Sequence, residues 1–331
     1  MDFVTGGTGI VGRELLYQLL SRGREVKALI RPNSDIEGTE SQIISRGASI
    51  ENLTWVKGDT RDYEGILEAL EGCTRVFHLA ALVSFHPSAE PKLLEINRDG
   101  TANIVNAMLE KGVLDLIYMS SVAALGHSLN EPITENTEFE ESPLVTGYSR
   151  SKYLSELEVW RGQEEGLSVL ILNPSIIIGE GDFSRSSGEL FSQSAQGVPV
   201  YPAGKNGFVS ARDVALISVE LANSGTRGER FILNAENLSY KDAMTLISHS
   251  VGAKPPSKVV KNWMINMVVF AFKAREIFTG RKSIANKTSM LLSQLYTEFD
   301  GTKVQRFLQD FQYESVNEAI ERTGKAYLEL S

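Results

Sequence analysis

Three observations predict an α/β fold built on a doubly wound parallel sheet, with a smaller mixed C-terminal lobe. Strand-like and helix-like segments take turns through the first half of the chain, the strands are almost continuously apolar, and a glycine cluster separates the first strand from the first helix. The strands are read at Asp2 to Thr5, Glu25 to Ile30, Leu53 to Val56, Arg75 to Leu79, Leu116 to Ser120 and Ser168 to Asn173, with helices such as Arg13 to Arg22 and Tyr63 to Leu70 between them. A strand covered by helices on both faces has no polar side to show, which explains the missing alternation. After about Gly179 the rhythm gives way to polar, glycine-rich segments, Gly179 to Gly188 and Gly204 to Gly207, and then to helix-like runs without good strands. Residues 1–178, joined by a strand near 230–234, are expected to form the main sheet, and residues 179–331 mainly the smaller lobe.

The 331 residues, 42% of them hydrophobic, suffice for a large core. A net charge of -9 argues against nucleic acid or an anionic membrane as partner, because no basic excess is present to neutralise phosphates, and leaves small molecules. One cysteine, Cys73, and four scattered histidines provide neither a disulfide framework nor a metal site, as expected in a reducing compartment. Met1 leads straight into Phe3-Val4-Thr5 with no export-signal pattern, so a cytoplasmic protein is expected. The apolar run from Trp263 to Phe272 is too short to span a bilayer.

Thr5-Gly6-Gly7-Thr8-Gly9-Ile10-Val11-Gly12 follows the first strand and opens the first helix. Glycines at this spacing allow a tight turn, let backbone approach a pyrophosphate and let helix pack close on strand, while the helix N-terminus faces the anion. The second strand ends Ile30-Arg31-Pro32-Asn33-Ser34, with an arginine where a carboxylate would accept from the ribose of NAD. Arg31 therefore suits the 2′-phosphate of NADP, or is a solvated strand-end charge. Asp59, in Gly58-Asp59-Thr60-Arg61-Asp62, is placed to reach the adenine or to cap the next helix.

Tyr148-Ser149-Arg150-Ser151-Lys152 puts a phenol and an ammonium on one helix face. A nearby ammonium lowers a phenol pKa, so Tyr148 is the candidate proton donor and acceptor. The strand Leu116 to Met119 ends in Ser120-Ser121, which brings a hydroxyl to the carboxyl edge of the sheet, where either serine is a turn residue or a hydrogen-bond donor to substrate.

The order glycine turn, Gly58-Asp59, His78-Leu79-Ala80-Ala81, Asn97-x-x-Gly100-Thr101-x-Asn103, Ser120-Ser121, Tyr148-x-x-x-Lys152 and Asn173-Pro174-Ser175 resembles the extended short-chain dehydrogenase/reductases, the NAD-dependent epimerase/dehydratase family, over the whole chain. The resemblance implies a Rossmann NAD(P)-binding domain with a C-terminal substrate lobe, and Ser121, Tyr148 and Lys152 as catalytic residues. It implies cofactor contacts at Gly6, Gly9, Ile10, Val11 and Gly12, at Arg31, Asp59 and Thr60, at Leu79, Ala80 and Ala81, at Tyr148 and Lys152, and at Pro174 and Ser175. Ser121 is the serine that matches the pattern, five residues before Gly126. Val26-Lys27-Ala28-Leu29-Ile30-Arg31 and the segment Lys254 to Gly280, with Pro255-Pro256 before an apolar helix and Phe278-Thr279-Gly280 after it, resemble the dihydroflavonol-reductase-like and 3β-hydroxysteroid-dehydrogenase-like branch. Leu125, before Gly126, departs from the tyrosine of many relatives and weakens a sugar-nucleotide assignment.

The expected activity is thus reversible reduction of a carbonyl on a small, partly apolar substrate, with NADP preferred over NAD. Substrate contacts are expected from Val83, Ser84 and Phe85, from Gly181 to Ser187, and from Phe208 and Trp263; for each aromatic the alternative is plain packing. The rival readings are a sugar-nucleotide epimerase or dehydratase, in which Arg212 serves a diphosphate rather than a salt bridge, and a non-catalytic dinucleotide sensor. A homodimer is expected through the helix carrying Tyr148 and Lys152 and the helix from Asn97 to Lys111, as the resemblance implies. Tyr153, Leu154, Leu157 and Trp160 form an apolar stripe that either a second subunit or the C-terminal residues Val304 to Leu330 must cover.

Overall fold

The structure, a computed structural model, describes residues 1–126, 128, 131–184, 186–267, 269–270 and 287–330. In chain order its first part comprises β1 (Asp2–Thr5), α1 (Ile10–Leu20), β2 (Val26–Ile30), α2 (Ile36–Ser45), β3 (Leu53–Lys57), α3 (Tyr63–Ala69), β4 (Arg75–His78), α4 (Glu90–Leu93), α5 (Gly100–Lys111), β5 (Asp115–Met119), α6 (Gly147–Glu164) and β6 (Ser168–Pro174). The second part comprises β7 (Ile176–Ile178), α7 (Gly188–Ala195), β8 (Val200–Pro202), β9 (Lys205–Ser210), α8 (Ala211–Asn223), β10 (Glu229–Leu233), β11 (Glu236–Ser239), α9 (Tyr240–Ser250) and β12 (Lys258–Val260). A last helix spans Val316–Leu330.

The central sheet has seven strands in the order β10-β6-β5-β4-β1-β2-β3, each paired parallel to its neighbour. Alternate residues of β1 to β6 feed two cores. Val4, Phe77, Ile117, Leu170 and Leu172 pack with Leu15 and Leu19 of α1 and Val214 of α8 on one face. Phe3, Val76, Leu116, Val169 and Ile171 pack with Ile66, Ile104 and Val159 on the other. The strands read as unbroken apolar runs because both sides of the pleat are buried. This is the doubly wound Rossmann-type sheet expected, and its order reverses between β1 and β4, which opens a crevice at the carboxyl ends of those strands.

Beside it lie a mixed three-stranded sheet, β11-β9-β7, and a two-stranded pair, β12-β8. A separate apolar cluster, including Ile178, Phe191, Phe208, Ile247 and Ile320, fills this region. The strand expected near 230–234 joins the main sheet as β10, parallel to β6.

Two stretches differ from the sequence reading. The glycine-rich segment Gly204 to Gly207 lies largely within strand β9, because a Cβ at Gly207 would sit 2.1 Å from Asn234 Oδ1: the glycine marks a close approach, not a loop. The first helix begins at Ile10, three residues before the expected Arg13, since the glycines that open it hide its apolar period. Phe278-Thr279-Gly280 and the rest of the C-terminal resemblance beyond residue 270 lie outside the described residues. Among the described residues no helix is long and apolar enough to cross a membrane.

Candidate active site

The crevice is lined by the loops that leave the carboxyl ends of the strands. After β1, Gly6 adopts φ +74, and a Cβ there would meet Ala80 N at 2.8 Å, so the turn is pressed against the backbone just beyond β4. Gly9 N donates to Gly6 O at 3.0 Å, and a Cβ at Gly12 would fall 2.1 Å from that same oxygen. Gly9 caps α1 with no side-chain hydrogen bond, and no acidic residue stands in its first turn, so the free N–H groups and the positive end of the helix dipole remain for an anion. A dinucleotide pyrophosphate fits this cradle. Val11 is buried beneath it, and Ile10 packs under Gly181, where a Cβ would come within 2.9 Å of Ile10 Cγ1.

The hydroxyl of Thr5 accepts from Ala80 N at 3.1 Å and bonds His78 Nδ1 at 2.7 Å, fixing the Leu79-Ala80-Ala81 segment against the glycine turn. His78 Nε2 meets Thr101 Oγ1 at 3.0 Å, and burial, aided by the Lys152 charge, holds the ring down at about 3, hence neutral. At the far end of the crevice Arg31 is exposed; its backbone N–H donates to Ser34 Oγ at 3.1 Å, and its guanidinium has no hydrogen-bond or ion-pair partner among the described residues. Asp59 lies within its field, held below the usual carboxylate range first by hydrogen bonds from Arg61 and also by the Arg31 charge. The cap of α3 is Asp62, which accepts from Gly65 N, so Asp59 is not the helix cap. Thr60 is buried, with Gly100 against its hydroxyl and Asn103 Nδ2 donating to its carbonyl at 3.0 Å.

Thr146 starts α6 by accepting from Ser149 N at 3.0 Å, and this cap fixes where the helix begins and hence which face Tyr148 and Lys152 share. Both are buried. Ser121 is the polar neighbour that favours the Tyr148 phenolate, but burial outweighs it and pushes the phenol up from its ordinary value. Ser121 Oγ also accepts from Ala123 N at 3.1 Å, whereas the buried Ser120 hydroxyl has no partner among the described residues. The structure thus brings Ser121, and not Ser120, to the tyrosine. Lys152 Nζ donates to Met119 O at 2.8 Å and Tyr118 Oη at 3.1 Å, and burial pulls the ammonium down to about 7. The expected lowering of the phenol by Lys152 is therefore not the net effect, because burial dominates both groups. Asn97, within a π-helical turn at Leu94–Asp99, donates to Ser151 Oγ at 2.9 Å and brackets the backbone of Leu82, tying the β4 loop to α6.

Phe85 packs edge-on against Tyr148, ring centroids 5.5 Å apart, and Val83, two residues before it, is exposed. Phe208 is fully enclosed among core residues, a packing position that removes it from the substrate contacts, and Trp263 is exposed. Pro174 ends β6, and Ser175 N donates to Leu233 O at 3.0 Å. Arg212 donates to Glu180 at 3.2 Å, the salt-bridge alternative. Sequence reasoning gave no role to Tyr118, Glu156 or Arg230. Glu156 was visible in principle, since a carboxylate at i+4 from Lys152 must lie on the same helix face.

Residues 3–233 match the family model described as the NAD dependent epimerase/dehydratase family. The chain is 30% identical over 312 residues to a putative dihydroflavonol 4-reductase of Synechocystis sp., covering 91% of this chain and 87% of that protein. It is 32% identical over 257 residues to sterol demethylase protein B of Methylococcus capsulatus, covering 76% and 75% respectively. The solved structure of gox2253 superposes with a TM-score of 0.83 at 29% identity, over 100% of this chain and 98% of that one.

Proposed function

The chain belongs to the NAD dependent epimerase/dehydratase family, and from that premise we propose that it is an NADP- or NAD-dependent, dihydroflavonol-reductase-like enzyme that interconverts the carbonyl and alcohol of a small, partly apolar substrate. The observation that carries this reading is the buried Tyr148 phenol, with Ser121 as its polar neighbour and the Phe85 ring packed against it, beside the glycine turn that can cradle a dinucleotide. The relative named a dihydroflavonol 4-reductase supports it.

Gly6, Gly9 and Gly12 hold the pyrophosphate, Arg31 the 2′-phosphate, and the Leu79 to Ala81 segment with Pro174 and Ser175 lines the cofactor; residues 179–331 mainly build the substrate side. A nicotinamide cofactor, when bound, would supply the hydride for reduction of the carbonyl and take it up in oxidation of the alcohol. In reduction Tyr148 gives its phenolic proton to the substrate oxygen and Ser121 donates a hydrogen bond to it, so that donors fixed beforehand meet the charge that develops there. The Lys152 ammonium lowers the cost of the phenolate left behind. Hydrogen transfer in oxidation retraces these steps. Arg212, paired with Glu180, is a poor holder for a nucleoside diphosphate, which favours the reductase over an epimerase. The unit is a homodimer joined through α5 and α6. Leu157 of the α6 stripe is exposed, and the last helix packs against α9 and α7 rather than over it.

The test is NADPH oxidation against a panel of carbonyl compounds, with mass spectrometry of any nucleotide that copurifies. Steady net oxidation supports the reductase. Tightly held NAD without net turnover of any carbonyl marks the epimerase or dehydratase, and no chemistry at all marks a sensor.

A further inference from the structure

One turn beyond Lys152, the carboxylate of Glu156 is buried and takes no part in the transfer of hydride or proton. A charge this deep is tolerated only when paired and hydrogen-bonded. Asn173 Nδ2, from the end of β6, donates to Oε1 at 2.5 Å, and Arg230 Nη1, from the neighbouring strand β10, donates to Oε2 at 3.0 Å. The same Asn173 Nδ2 donates to the carbonyl of Ser121 at 2.9 Å, while Arg230 Nη2 donates to the Glu135 carbonyl at 2.7 Å. A chain of hydrogen bonds therefore runs from the sheet edge through Glu156 to the backbone that carries the Ser121 hydroxyl.

Glu156 also bears on Lys152. The groups around that ammonium are Tyr148 and Glu156 from its own helix, Tyr118 from β5 and His78 from β4. Both phenols are pushed up and the imidazole down, so all three are neutral at neutral pH. Glu156 alone among them supplies negative charge, and it opposes the burial that discharges the lysine. We propose that Glu156, clamped between Asn173 and Arg230, is a positioning residue of the site: through Asn173 it fixes the Ser121 turn, and its carboxylate, one turn along α6 from Lys152 on the same helix face, favours the lysine's charged form. Its consequence for turnover rests on the reductase reading; the ionisation it sets does not.

The test follows Lys152 by NMR in cofactor-free protein carrying 13Cε-labelled lysine, the resonance being the one lost in Lys152→Met. Glu156→Gln keeps an acceptor for Asn173 but removes the charge, and the Lys152 midpoint falls by about one unit or more. Arg230→Met removes the cation that offsets Glu156, and the midpoint rises. Asn173→Ala leaves the charges alone: the midpoint stays and NADPH-dependent turnover drops. Opposite shifts in the first two variants are the signature, because a merely structural role gives no shift or shifts of one sign. If Glu156→Gln does not fold, Arg230→Met decides alone, and a midpoint unmoved or lowered there overturns the proposal. Failure of the reductase reading instead shows as absent turnover in the wild type with the lysine shifts intact.

Discussion

Gly9 and Gly12 sit three residues apart in one turn, yet alanine should do different things at each. At Gly12 the new Cβ would lie 2.1 Å from Gly6 O and 2.7 Å from the Cα and carbonyl carbon of Gly7, all backbone atoms that cannot rotate away. Overpacking of this kind costs about 1 to 3 kcal/mol. At roughly 2 to 4 °C per kcal/mol for a chain of this order of size, Tm falls by about 2 to 12 °C, and NADPH affinity falls as the helix N-terminus is displaced. At Gly9 the Cβ meets only Gly6 O, at 3.3 Å, with nothing else within 4 Å, and the backbone (φ -79, ψ 171) is one alanine adopts freely. In the proposed reading that open space admits the pyrophosphate. Gly9→Ala should therefore keep Tm within about 1 °C while raising the NADPH Kd roughly tenfold or more, a loss of about 1.4 kcal/mol. Differential scanning fluorimetry and titration of NADPH fluorescence measure both quantities. A Gly12→Ala protein with native Tm would refute the packing, and unchanged affinity in Gly9→Ala would remove the cofactor from this turn.

Arg31→Ala should weaken NADP roughly tenfold or more and NAD hardly at all, because a charge-assisted contact contributes about 1.5 to 3 kcal/mol; equal losses in the two isotherms would exclude a 2′-phosphate role. His78 is held at about 3 when folded, so below about pH 6.5 only the unfolded chain takes up its proton, and stability is lost as the pH falls. By about pH 5 this amounts to roughly 2 kcal/mol, which His78→Gln does not lose; a wild-type-minus-variant difference in urea unfolding that stays constant between the two pH values would contradict it. Light scattering at micromolar concentration should give twice the 36.4 kDa of one chain, and a monomer mass unchanged on tenfold concentration would refute the α5–α6 dimer.

The legible part of this fold was the part governed by local rules. Six apolar strands, a glycine turn and a Tyr-x-x-x-Lys pair each leave a short-range mark, and β1 falls where the sequence places it. Side chains that act across the sheet leave none. Arg230 lies 74 residues from Glu156, and the meeting of His78 with Thr5 depends on the pairing of β4 with β1, and with Thr101 on the packing of α5 against the sheet. The helix α2 was hidden by a first turn of Ile36, Glu37 and Gly38, whose start is set by the Asp35 side chain accepting from Gly38 N rather than by an apolar period. The balance of charges at the site was equally hidden. Spacing tells that Lys152 and Tyr148 share a face, but the burial that pulls one down and pushes the other up comes from the packed molecule.

The central claim is that the Tyr148 hydroxyl moves the proton. Tyr148→Phe deletes that single atom group from a buried ring that keeps its place against Phe85. Measured with any carbonyl substrate the wild type reduces, NADPH oxidation should fall by at least roughly a hundredfold, as loss of a positioned acid-base group requires, while the NADPH Kd stays within a few-fold. Ser121→Ala should cause a smaller loss of the same kind. Wild-type rates in the phenylalanine variant would contradict the account.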